Sequence, residues 1–83
     1  NLTFEAKQNI NVLSKNKAGE ASIFEIKIEI EIITENKSKI LISRETFNND
    51  EDKFKLNQYQ RQLEEQIIER LTVEILEYLS SFQ

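Results

Sequence analysis

The sequence predicts an α+β domain in which an antiparallel β-meander of about three strands packs on one long C-terminal amphipathic helix. Two patterns carry this prediction. In the first half of the chain apolar and polar residues alternate, which is the period of a half-buried strand, whereas after about residue 57 apolar residues recur every four positions, as on one face of a helix. At 83 residues the chain is expected to form a single domain, 1–83, whose core is only marginally sufficient on its own.

The first two strands are predicted over about residues 2–13 and 21–35, joined by a polar loop that holds the only glycine of the chain. The stretch FEIKIEIEI in the second strand alternates without a break, so its apolar residues share one face and its charged residues share the other. Both faces fit one antiparallel register, apart from Glu5, which would lie against Glu31. In that register the expected pairs are Phe4 with Ile32, Ala6 with Ile30, Ile10 with Ile26, Val12 with Phe24, Lys7 with Glu29, and Glu5 with Glu31.

The third strand is predicted over about residues 39–48, after a turn rich in polar residues. A three-residue loop at 36–38 would place Ile42 and Arg44 on the apolar face and leave Phe47 pointing outward. A bulge at Arg44 and the residue after it would instead return Phe47 to the core and turn Arg44 away. The sequence is compatible with both alternatives.

The C-terminal helix is predicted near residues 54–81, with Asp50, Asp52 or Asn57 as its N-cap. Twenty-odd helical residues extend more than about 30 Å at 1.5 Å each, which is long enough for the helix to cover the even-numbered apolar face of all three strands. The helical positions expected to be apolar contacts are Tyr59, Leu63, Ile67, Leu71, Ile75 and Leu79, flanked by Ile68, Leu76 and Phe82.

Composition excludes several classes of chemistry. The chain has no Cys and no His, so disulfides, thiolate nucleophiles and imidazole acid–base or metal chemistry are absent, and we expect neither a metal nor a cofactor. Its neighbouring carboxylates are interpreted as solvated surface, and no nucleophile–base set is found, which argues against an enzyme. A net charge of −4 without a basic stripe argues against binding to nucleic acid.

The order of the elements resembles the C-terminal half of the LPS-assembly lipoprotein family (LptE-like). The segments that carry the resemblance are the strands NLTFEAKQNINVL, ASIFEIKIEIEI and ILISRETFNND, the turn ENKSK, and the helix QYQRQLEEQIIERLTVEILEYL. Within them, Leu41, Ser43, the pair Phe47-Asn48 and the span from Ile75 to Leu79 match the family pattern.

The resemblance implies a non-enzymatic role in lipopolysaccharide assembly at the cell outer membrane, on its periplasmic side. A family member acts there as the plug of a large β-barrel protein and assists the insertion of lipopolysaccharide. Family members also carry a lipidated N-terminal Cys and a further N-terminal helix, so this chain is interpreted as the C-terminal portion of a longer lipoprotein.

Two sets of charged residues are candidate site residues under this interpretation. The sheet row Glu25, Lys27, Glu29 and Glu31 would face the barrel partner. Lys37, Lys39 and Arg44, near the second turn and along strand three, would contact the anionic phosphates of lipid A. Ordinary ion pairing with nearby glutamates is the alternative explanation for these cations.

A different function is also compatible with the sequence. In this alternative the chain is a generic periplasmic protein–protein interaction module, whose exposed sheet edge adds to the sheet of a partner with no lipid involved. Because strand one or strand three must form an edge, we expect the chain by itself to be marginally stable and prone to association.

Overall fold

The computed structural model describes residues 2–81 and confirms the predicted fold class. Three antiparallel strands form one sheet in the order β1-β2-β3, and a single helix packs on one side of it. The molecule is elongated, with extents of 53 × 20 × 16 Å. The elements are β1 (Thr3–Lys15), β2 (Ala21–Ile33), β3 (Ser38–Asn48) and α1 (Lys53–Ser80).

The register of β1 against β2 is the predicted one. Val12 lies opposite Phe24, and Lys7 lies opposite Glu29. The other four predicted pairs are also present. In the connecting loop, the Asn16 side-chain oxygen accepts hydrogen bonds from the backbone N–H of Ala18 at 2.9 Å and of Glu20 at 3.0 Å. The ladder is regular up to Val12 and shifts register just beyond it.

The register of β3 differs from both sequence alternatives. The turn is one residue shorter than predicted, because the Thr34 N–H bonds to the Lys37 carbonyl at 2.8 Å and closes a two-residue hairpin loop. Arg44 therefore lies opposite Lys27 rather than on the apolar face, and the continuous ladder contains no bulge at this strand. Phe47 reaches the core without one.

The core side of β3 is formed by residues that the predicted register had turned outward. Leu41 lies opposite Ile30 and Phe47 lies opposite Phe24, whereas Ile42 lies opposite Glu29 on the far face. The rings of Phe24 and Phe47 stack with their centroids 5.3 Å apart. This aromatic pair gives the observed register a contact that the predicted one lacks.

The helix begins close to the predicted position and is capped by one of the three candidates. The Asp52 carboxylate accepts hydrogen bonds from the backbone N–H of Phe54 at 2.9 Å and of Lys55 at 3.4 Å. Ile67 and Leu71 are buried in the core against the apolar face of β2 and β3, as predicted, whereas Tyr59 is largely exposed. Phe82, expected to flank this apolar side, lies outside the described residues.

The expectation that α1 covers the whole apolar face is wrong at β1. The helix packs on β3 and β2. A helix is about 10 Å wide and neighbouring strands are about 4.8 Å apart, so one helix covers roughly two strands. The apolar face of β1 is left at the side of the helix.

Candidate functional site

The helix-side face of β1 is an exposed surface with apolar residues. Its residues, here named the β1 row, are Phe4, Ala6, Gln8, Ile10 and Val12. Phe4, Ile10 and Val12 are 48%, 41% and 46% exposed, whereas their cross-strand neighbours Ile32 and Ile26 in β2 are fully buried. Because β1 also borders no further strand, its backbone edge and its apolar row are open together.

One face of β1 thus has the apolar pattern of a core face, although its side chains are exposed. Alternation puts apolar residues at every second position, and pairing with β2 turns them to the same side as the buried isoleucines. A contiguous exposed apolar surface bounded by polar groups is typical of a binding surface. The sequence predicted these residues as core, and nothing in the alternation pattern distinguishes a covered row from an uncovered one.

The boundary between the β1 row and the helix is polar and acidic. Gln8 Nε2 donates a hydrogen bond to Glu64 Oε1 at 3.0 Å, and Gln60 Nε2 donates to the same oxygen at 2.9 Å. Next to Glu64 along the helix, an exposed depression is formed by Glu64, Glu65, Ile68 and Glu69. The single polar member of the β1 row is therefore held toward the helix by a carboxylate.

The opposite face of the sheet carries the predicted charged row. Glu25, Lys27, Glu29 and Glu31 share this face, as expected, and all four are partly buried between the flanking strands. The Lys27 ammonium lies 4.0 Å from a Glu29 carboxylate oxygen.

The neighbours of this row on β1 and β3 are of mixed character. Lys27 lies between Asn9 and Arg44, and Glu29 lies between Lys7 and Ile42. This face thus alternates charges of both signs with exposed apolar groups.

The structure does not bring the three candidate lipid-binding cations together. Arg44 belongs to the charged face, opposite Lys27, whereas Lys39 lies opposite Ile32 on the helix side. They are an odd number of residues apart, so they point to opposite faces, and five residues of strand separate them by about 16 Å. Lys37 lies in the β2–β3 turn.

A groove that the sequence did not predict runs between β3 and the helix. The volume of the groove is about 510 Å³, and the groove is open to solvent. Its lining comes from the end of β3, the loop that follows, and the first half of α1: Thr46, Phe47, Asn48, Asn49, Asp50, Tyr59, Gln62, Leu63 and Gln66. Tyr59 lies here, and not in the core as expected.

Two further features of residues 2–81 bear on the site. Nowhere in that range do three or more Asp or Glu side chains converge as a metal site would require. No helix within it is long and apolar enough to cross a membrane.

Over residues 2–81, the fold and these surfaces define a small α+β domain in which the helix leaves the face of the edge strand β1 uncovered. Comparison with models of known protein families gives no match, and comparison with characterised protein sequences gives none either.

Proposed function

We propose that this chain is a non-enzymatic protein-interaction module that binds its partner through β1. The observation that carries the proposal is the exposure of the β1 row, on the same sheet face where the residues of β2 are buried. Burying exposed apolar surface is the main driving force of most protein association. A module that presents both an apolar row and a free strand edge offers a partner two kinds of contact at once.

The mechanism of binding is strand addition. The free backbone N–H and C=O groups of β1 pair with an extended segment of the partner, and the side chains of the β1 row select among segments by shape. The regular part of the ladder ends at Val12, so the docking stretch is about residues 3–12. Beyond it, the register shift twists the strand and limits further pairing.

Site-specific photo-crosslinking of the full-length protein in cells tests this function. A photoreactive residue at Val12 is compared with one at Ile40, which is similarly exposed but lies on β3 and faces the charged side. We expect protein adducts at Val12 and few at Ile40. Equal adducts at both positions, or none at Val12, would contradict binding through β1.

A second candidate function follows from the family resemblance. The chain would be a component of outer-membrane lipopolysaccharide assembly, acting on the periplasmic side as the plug of a large β-barrel protein and contacting lipopolysaccharide. The observation that favours it is the charged sheet face, where Glu25, Lys27, Glu29 and Glu31 stand beside Arg44. The interior of a large barrel is polar, so a plug needs such a face.

The two candidates differ in the face they use. Under the barrel proposal, the double swap Lys27→Glu with Glu29→Lys keeps the net charge and the ion pair but reverses its direction, and we expect it to weaken co-purification of the barrel from outer membranes. The change Ile10→Lys on the β1 row would leave that co-purification intact. If Ile10→Lys weakens binding to the partner and the double swap does not, the result favours the module that binds through β1.

Binding to lipopolysaccharide itself is tested at Arg44. The guanidinium group of Arg44 can bind a phosphate through two hydrogen bonds. We therefore expect Arg44→Glu to lower binding to lipopolysaccharide more than Arg61→Glu on the exposed helix surface does. Arg70 is an unsuitable control because it already binds Glu45 at 2.7 Å. Equal losses at Arg44 and Arg61 would remove the proposed lipid site from β3.

A further inference from the structure

The uncovered strand β1 is complementary to a second copy of itself. Two antiparallel copies keep their apolar rows on one face only if the pair is centred on a residue, so that residue lies opposite its own copy. We propose that β1 pairs with β1 of a second copy, with Gln8 opposite Gln8 across a two-fold axis. This inference rests on the proposed function of β1 and names its partner. The result is a continuous six-stranded sheet with both helices on one face.

The shape of β1 restricts the possible centres. The ladder with β2 is regular from Thr3 to Val12 and shifts register between Val12 and Ser14. A pair centred on Gln8 uses residues 4–12 of each copy, which all belong to the regular part. A pair centred on Asn9 would place Phe4 opposite the irregular Ser14, and one centred on Lys7 would place two lysines directly opposite each other.

Side chains match in the register centred on Gln8. On the helix side, Phe4 pairs with Val12 and Ala6 pairs with Ile10, so each large group meets a smaller one. On the charged face, Glu5 pairs with Asn11 and Lys7 with Asn9, so no two like charges are directly opposite. Cross-strand pairs of this kind are the unit of sheet stabilisation, and each occurs twice because of the two-fold axis.

Gln8 gives this register its specificity. Its amide has two N–H donors, one of which binds Glu64 of the same copy. At the two-fold axis, the second donor of each Gln8 reaches the amide oxygen of the other, which forms a reciprocal pair of hydrogen bonds. Any shift of the register would instead place this amide against an apolar side chain of the row, where its hydrogen bonds are lost.

The other edge strand lacks this complementarity. In β3, a pair centred on Ser43 would set Leu41 against Glu45, whose carboxylate already binds Arg70 at 2.7 Å. The helix also packs over β3 and covers its apolar face. Self-association is therefore assigned to β1 and not to β3.

Introduced cysteines test the register, since the natural chain has none and every disulfide would be a designed one. Under mild oxidation we expect Gln8→Cys to form a covalent dimer by itself. Ala6→Cys and Ile10→Cys alone should not, because like positions are then about 13 Å apart along the strands, but a mixture of the two should cross-link. A covalent dimer at Lys7→Cys or Asn9→Cys, without cross-linking of the mixture of Ala6→Cys and Ile10→Cys, in which Gln8 is kept, overturns the register.

Sedimentation equilibrium tests the association itself with a matched pair of variants. Ile10→Lys and Ile42→Lys make the same change at edge-strand positions that are 41% and 46% exposed. We expect Ile10→Lys to weaken the dimer roughly tenfold or more, because it removes the Ala6–Ile10 pair twice, and Ile42→Lys to leave it unchanged. Circular dichroism confirms that both variants are folded.

The outcomes separate this inference from the proposed function. A chain that stays monomeric at about 100 μM, where a dimer of micromolar affinity would assemble, overturns the dimer. If Val12 still gives adducts with another protein in cells, the interaction module stands and only its partner changes. If Val12 gives no adducts and the chain is monomeric, both proposals fail.

Discussion

At the scale of single residues, Ile67 is one of the helix residues that are buried in the core. It is fully buried against the sheet, within the cluster that includes Ile26 and Phe47. A carboxylate at this position would have no partner and no water. The position therefore tests whether the packing of helix on sheet holds the whole domain together.

We expect Ile67→Asp to remove a large part of the free energy of unfolding of the domain. An unpaired buried charge costs about 3–5 kcal/mol, and a domain of 83 residues has a free energy of unfolding of about 4–12 kcal/mol. Circular dichroism and urea titration measure the loss. Leu76→Asp on the same helix is the control, because Leu76 is 60% exposed. Equal effects at both positions would contradict the helix orientation.

The helix N-terminus makes a second residue-scale prediction. Asp52 caps the helix by accepting from two backbone N–H groups, so Asp52→Ala should lower the free energy of unfolding by about 1 kcal/mol. Asn57, an alternative cap in the sequence, lies inside the helix and is exposed. Asn57→Ala should be neutral or slightly stabilising, since Ala is the better helix former. Denaturant unfolding of both variants decides between the two caps.

At the scale of elements, the apolar residues of β3 are compatible with two different registers. Apolar residues occur at both parities, with Leu41 and Phe47 on one and Ile40 and Ile42 on the other. Alternation therefore does not choose the core face of this strand. The tight Thr34–Lys37 hairpin and the stacking of Phe47 on Phe24 do.

The β3 register predicts that two truncations destabilise the domain to different extents. Phe47→Ala should lower the free energy of unfolding by about 3 kcal/mol or more, because it removes a buried ring and leaves a cavity. Ile42→Ala should cost less than about 1 kcal/mol, because surface substitutions have small effects. Urea unfolding of the two variants measures this. A larger loss at Ile42 would support the register with Ile42 opposite Ile32.

At the scale of the whole molecule, the domain is unevenly covered. Two strands lie under the helix and the third lies beside it, so the sheet has a core half and an open half. A small domain with a single helix buries a limited share of its apolar surface. Association through the open half would bury the remainder.

The dimer proposal therefore predicts that stability depends on concentration. Because association favours the folded state by mass action, the melting temperature of the natural chain should rise as protein concentration is raised. For Ile10→Lys the rise should be smaller, because its dimer is weaker, whereas Ile42→Lys should behave as the natural chain does. Calorimetry over a hundredfold range of about 1–100 μM measures the trend. A melting temperature that is flat for all three chains would contradict it.

The sequence by itself determined the element order, the strand and helix bounds to within a few residues, and the pairing of β1 with β2. That pairing was readable because the apolar face and the charged face agree on one register, as with Val12 opposite Phe24 and Lys7 opposite Glu29. The shared face of Glu25, Lys27, Glu29 and Glu31 followed from the same alternation.

Only the tertiary structure decided which apolar rows are covered. Local periodicity reports which side of a strand a residue occupies, but it carries no information on how far a helix reaches across a sheet. The width of one helix left the β1 row exposed, and the turn geometry decided that Arg44 lies on the charged face and Lys39 on the helix side. These positions depend on contacts between residues far apart in the chain, and for that reason the candidate site became visible only in the folded molecule.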